Sequence, residues 1–135
     1  MSYPDWTDVL DIGLPILDDQ HKQLLAVADD LLNAIARDEG EAALKDTFER
    51  LKAYTRYHFK EEEAYMTRIG YPGQSEHSAE HVLLLIRVNT LWRLIESGQI
   101  VSPKGISLFI NDWIVEHIMH KDAMIGEYAR ALRQP

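Results

Sequence analysis

The sequence predicts an all-α fold: an up-down-up-down four-helix bundle preceded by an irregular N-terminal arm. Three observations predict it. Apolar residues recur at three-four spacing through four long segments. Glycine and proline punctuate the chain between those segments, so the connections are short. No stretch alternates apolar and polar residues as a half-buried strand would.

Residues 1–17 read as the arm, because Pro4, Gly13 and Pro15 interrupt any period there. Its apolar residues Trp6, Val9, Leu10, Ile12 and Leu14 are expected to pack onto the body. The first helix is predicted from Asp18 to Arg37, with Leu24, Leu25, Ala28, Leu31, Leu32 and Ile35 as its buried stripe and Asp18 or Asp19 as its cap. The second runs from Glu41 to Arg68 on Leu44, Phe48, Leu51, Thr55, Met66 and Ile69. Gly70-Tyr71-Pro72-Gly73 ends it. The third runs from Ser75 to Ser97, with Leu84, Leu85, Val88, Leu91, Trp92 and Ile95 inward. The fourth starts with Ser102 as cap and Pro103 in the first turn. It carries Ile106, Phe109, Ile110, Trp113 and Met124 and fades near Leu132. The whole, residues 1–135, reads as one domain with its bundle over 18–132.

Composition narrows the function. The chain has no cysteine, which excludes disulfides, thiolate metal sites and cysteine nucleophiles. With 14 basic and 22 acidic residues the net charge is −8, which argues against nucleic acid or an anionic membrane as partner. No run approaches the ~20 apolar residues of a membrane span. The first residues lack the basic and apolar regions of a secretory signal, so the expected location is the cytoplasm.

The chemistry lies in the histidines. There are six, His21, His58, His77, His81, His117 and His120, and every predicted helix carries at least one. Five of them continue the apolar stripes: His21 precedes Leu24 and Leu25, His58 follows Thr55, His77 and His81 precede Leu84 and Leu85, and His117 is four beyond Trp113. One histidine on an apolar face is ordinary core. Five in one small core would each need a partner, and each unpaired polar group costs about 1–3 kcal/mol. Shared metal coordination satisfies them together. Glu62, one turn after His58, falls on the same face, whereas Glu61 and Glu63 read as solvated charge. Five histidines exceed the needs of one tetrahedral zinc, so two metals bridged by carboxylate fit better.

The fourth helix leaves a choice. Asp122 lies about 140° from His117 on an ideal helix, and His120 only about 60° away. Spacing alone therefore favours His120 as the second ligand. A π-bulge between His117 and Asp122 would reverse that.

The stretches Asp19-Gln20-His21, His58-Phe59-Lys60-Glu61-Glu62-Glu63-Ala64-Tyr65-Met66, Gly70-Tyr71-Pro72, His77-Ser78-Ala79-Glu80-His81 and Trp113-Ile114-Val115-Glu116-His117, with Asp122 beyond, resemble the hemerythrin family in its bacterial single-domain form. The resemblance implies a non-haem di-iron centre. His77, His81 and His117 would hold one iron, His21 and His58 the other, and Glu62 and Asp122 would bridge them beside an oxo or hydroxo group. One iron, cycling between Fe2+ and Fe3+ like its neighbour, would then keep an open position for reversible dioxygen binding. Trp113 and Ile114 would stand near the gas pocket, and His120 would have no ligand role. The resemblance implies a carrier, store or scavenger of oxygen rather than an enzyme, served by a reductase or an oxygen-consuming enzyme.

Other readings fit less of the sequence. A sensor or nitric oxide module would use the same centre, but the chain carries no output domain. A ferritin-like oxidase requires Glu-x-x-His, and no histidine here has glutamate three residues before it. A zinc hydrolase reading uses only His77, Glu80 and His81, with Glu80 otherwise facing solvent or orienting a neighbour.

Overall fold

A computed structural model describes residues 10–99 and 102–133, the side chain of Pro103 excepted. Trp6 and Val9 of the arm lie outside the described residues. Helix α1 spans Pro15–Ala36, α2 Glu41–Ile69 and α3 Gln74–Glu96. A fourth rod begins as α4, Pro103–Ile110, passes through two π-helical segments, Asn111–Val115 and Ile118–Asp122, and ends as α5, Ala123–Arg133. No strand occurs among the described residues.

The four rods form the predicted bundle. Helix α1 packs against α2 and α4, and α3 packs against α2 and the first π-helical segment. Leu24, Leu31, Leu51, Val88, Leu91, Ile106 and Ile110 fill the interior and are completely buried. The punctuation falls as the residue types require. Gly70 closes α2 in a left-handed conformation at φ 66°, which costs a glycine little. The Ser102 side chain accepts a hydrogen bond from Gly105 N–H at the start of α4.

The first helix starts earlier than its sequence suggests. Pro15 occupies its first turn, where a fixed φ and a missing N–H are both tolerated. Asp18 therefore does not cap α1. Its carboxylate turns back on the arm and accepts Ile12 N–H at 2.8 Å and Leu14 N–H at 3.1 Å. Leu10, Ile12 and Leu14 are thereby buried on the bundle. On the far side, Ile12 presses its carbonyl onto Gly126 of α5 so closely that a Cβ there would overlap the oxygen. Asp18→Ala should unseat the arm by leaving both amides without an acceptor, at a cost of about 1–3 kcal/mol. Chemical denaturation of the variant checks this; an unchanged midpoint would contradict it.

Met124 also departs from its predicted place. It is exposed, and Ile125 is buried instead. An ordinary helix would set Met124 almost beneath Trp113. The wider π turns carry extra residues per revolution and shift the inward face onward. The same widening lets Trp113, Ile114 and Val115 be buried in succession.

The topology gathers one end of the bundle. The start of α1, the second half of α2, the start of α3 and the later part of the fourth rod all meet there. These segments carry His21, His58, His77, His81, His117 and Asp122.

Candidate metal centre

The five core histidines converge, and each turns its Nε2 toward Glu62 or Asp122. Both carboxylates are almost completely buried. Each spans two groups of rings. Glu62 Oε1 lies 2.7 Å from His77 and 3.0 Å from His81, while its Oε2 lies 3.3 Å from His58 and 3.6 Å from His21. Asp122 Oδ1 lies 3.0 Å from both His77 and His117, and its Oδ2 lies 3.1 Å from His21.

Two overlapping donor sets result. One contains Glu62, His77, His81, His117 and Asp122; the other contains His21, His58, Glu62 and Asp122. Within each set the donor atoms lie within 4.8 Å of one another, as ligands of a single cation must. All seven side chains read from the sequence are thus brought together.

The second π-helical segment, Ile118–Asp122, is what brings Asp122 in. A π turn sets residues five apart nearly in register, so His117 and Asp122 share a face. His120 is turned outward, two-thirds exposed, and pairs with Glu116 at 3.0 Å.

The interior is suited to a cation. His58 Nε2, Glu62 Oε2 and Asp122 Oδ1 are buried without a well-formed hydrogen bond. The Nε2 atoms of His77 and His117 face each other at 3.3 Å. Imidazole and carboxylate donors aimed at common points suit metal ions.

Comparison with known proteins agrees. The sequence profile described as Hemerythrin HHE cation binding domain matches residues 12–129. The chain belongs to the hemerythrin family. It is 30% identical to the bacteriohemerythrin of Pseudomonas paraeruginosa over 123 residues, covering 91% of this chain and 79% of that one. It is equally identical to the bacteriohemerythrin of Clostridium acetobutylicum over 122 residues, covering 87% and 94%. The crystal structure of wild-type hemerythrin superposes with a TM-score of 0.76 at 28% identity, over 92% of this chain and 95% of that one. A point mutant of hemerythrin gives 0.78, also at 28% identity, over 95% and 98%.

Around this hemerythrin-type cluster, further side chains fix the rings through Nδ1. Gln20 Oε1 meets His58 Nδ1 at 2.8 Å, Glu63 Oε2 meets His81 Nδ1 at 2.8 Å, and Glu80 Oε2 meets His117 Nδ1 at 3.2 Å. A proton on Nδ1 leaves the Nε2 lone pair for the interior. Glu63, half-exposed, is therefore more than solvated charge. Its other oxygen accepts Ser78 Oγ–H at 3.0 Å. Phe59 stacks on His81 with ring centres 3.9 Å apart and planes 2° from parallel. Sequence spacing did not assign roles to Gln20, Phe59 or Glu63, although each adjoins a ligand candidate in the chain. Trp113 and Ile114 are buried in the core, and the indole N–H donates to Leu84 O at 2.7 Å.

The clustered charges shift one another. Burial pushes His21 and His77 down, but hydrogen bonds to Asp122 and Glu62 outweigh it and lift them from 6.5 to about 9 and about 10. Burial raises Glu62, and hydrogen bonds from His21, His58, His77 and His81 more than reverse that, leaving it well below the usual range. Asp122 is raised by burial and by Glu62, and is lowered further by His117 and His21.

A pH dependence of the metal-free chain follows. The raised histidines contribute stability that is complete below 6.5 and is lost as pH rises through about 9–10. The depressed carboxylates contribute stability present above their ordinary 4.5 and 3.8, and lost as pH falls through their lowered values. Metal-free protein should therefore unfold more readily at about pH 10 than at about pH 8. Metal uptake at neutral pH should release protons from the rings. Thermal unfolding with chelator across that interval checks the first point, and flat stability would contradict it.

Proposed function

We propose that this chain binds dioxygen reversibly at a pair of iron ions, as a carrier, store or scavenger of oxygen. The observation that carries the reading is the inequality of the two donor sets. One offers three imidazoles and two carboxylate oxygens, the other two imidazoles and two oxygens. The protein thus supplies one donor fewer on the side of His21 and His58, which would leave a coordination position for a small ligand. His77, His81 and His117 would hold the first iron, and His21 and His58 the second. Glu62 and Asp122 would be shared between them, beside an oxo or hydroxo group. When bound, the irons, cycling between Fe2+ and Fe3+, supply the electrons that dioxygen takes on binding and returns on release.

The chain's own part is to hold, neutralise and exclude water. Glu62 and Asp122 offset buried positive charge, which makes the cluster far less costly than separate ions. Gln20, Glu63 and Glu80 hold three rings in one tautomer. Trp113 and Ile114, both buried, would add apolar wall. Thr55 Oγ–H is turned to Leu51 O within its own helix. Both buried carboxylates at the cluster face histidines of both sets. The reading is of a binder rather than an enzyme. Among the described residues no helix is long and apolar enough to cross a membrane. We place the protein in the cytoplasm, with a reductase or an oxygen-consuming enzyme as partner.

The test is spectroscopic. Iron-loaded protein under argon should gain a visible charge-transfer band on exposure to air and lose it on return to argon. A spectrum indifferent to oxygen, or consumption of oxygen with turnover, would overturn the reading.

A further inference from the structure

Three rings of the cluster, His58, His81 and His117, differ in what holds their outer nitrogens. On the three-histidine side, His81 and His117 each face a carboxylate, Glu63 and Glu80. On the two-histidine side, His58 faces a neutral amide, that of Gln20. With Nε2 committed to the interior, His58 Nδ1 carries its proton and donates it to the Gln20 oxygen. A carboxylate draws that proton more strongly than an amide does. It leaves the ring richer in electrons and a better ligand for the higher charge of a metal. Hydrogen bonding of this kind is one of the means by which proteins set reduction potentials.

We propose that Glu63 and Glu80 are positioning residues that bias the higher iron charge toward the three-histidine half, while Gln20 keeps the two-histidine half ferrous for longer. This rests on the di-iron reading above. Removal of one electron from the diferrous centre then leaves Fe3+ beside His77, His81 and His117, and Fe2+ beside His21 and His58. The half that receives the gas keeps its electron. The bias is moderated from outside. Both carboxylates are about 40% exposed, Ser78 Oγ–H shares the charge of Glu63, and Lys121 Nζ stands 3.8 Å from Glu80. The Gln20 side chain, by contrast, is buried.

The experiment uses the full iron-loaded chain and the variants Glu63→Gln, Glu80→Gln and Gln20→Glu. Iron per chain is counted. Both one-electron steps are followed by spectroelectrochemistry under argon, with ferricyanide as the electron acceptor that becomes ferrocyanide. Glu63→Gln and Glu80→Gln should keep two irons and raise the first midpoint. Each should shift the ferrous-to-ferric ratio by about tenfold, or about 59 mV for one electron. Gln20→Glu should lower the second midpoint and move the first less. The proposal falls if no variant moves a midpoint, or if Gln20→Glu moves the first step as far as the others. It also falls if the Glu63 or Glu80 variant loses iron, since those groups would then hold metal rather than tune it. Wild-type protein without two irons would instead defeat the di-iron reading beneath it.

Discussion

Glu62→Ala is expected to take bound iron from two per chain to none. It should also destabilise the fold by about 3–5 kcal/mol, the usual cost of removing one partner from a buried charge cluster. Glu62 is completely buried, and its two oxygens face four histidines from three helices. No neighbouring group can replace it, because Asp122 already faces His21, His77 and His117. The remaining rings would keep burial without the anion that offsets it. Glu62→Gln separates charge from volume: it fills the same space and should still lose the metals. Glu61→Ala, one residue away and exposed, should change neither property. Metal analysis and denaturant unfolding check all three. Two irons retained in Glu62→Gln would show that the carboxylate does not bridge.

Gly126→Ala should be strongly damaging although it lies outside the cluster. The new methyl group would overlap the Ile12 carbonyl oxygen, and it would also come within 3.3 Å of the Ile12 side chain. Backbone, unlike the end of a flexible side chain, yields only if the arm moves. Moving it breaks the two hydrogen bonds to Asp18 and exposes Leu10, Ile12 and Leu14. Overpacking of this kind costs about 3 kcal/mol, which lowers the melting temperature by about 10 °C for a domain of this size. Gly126→Ala and Asp18→Ala release the same arm, so their effects should fall short of adding. Full additivity would show that the two contacts act separately.

The bundle was legible because its signals are local. Each helix shows a buried stripe at the helical period, and Gly40, Gly70 and Gly98 mark the breaks between them. The same stripes place His21, His58, Glu62, His77, His81 and His117 inward, since a ligand on a core face keeps the core period. Asp122 was not legible from spacing. It depends on a π turn, which residue identities do not announce, and it came instead from resemblance to the family. Met124 was misplaced for the same reason. The start of α1 was misread because Asp18 suits a cap chemically, whereas the chain uses Pro15 to begin the helix and Asp18 to hold the arm. Glu63 looked like surface charge because only the rotation of α2 against α3 brings it to His81.

The central claim is that seven side chains hold two irons, with Asp122 and not His120 as the last ligand. Anomalous diffraction from iron-loaded crystals at the iron edge tests it most directly. Two peaks should appear, one among His77, His81 and His117 and one between His21 and His58, with Glu62 and Asp122 touching both. A single peak, or a peak bonded to His120, would contradict it.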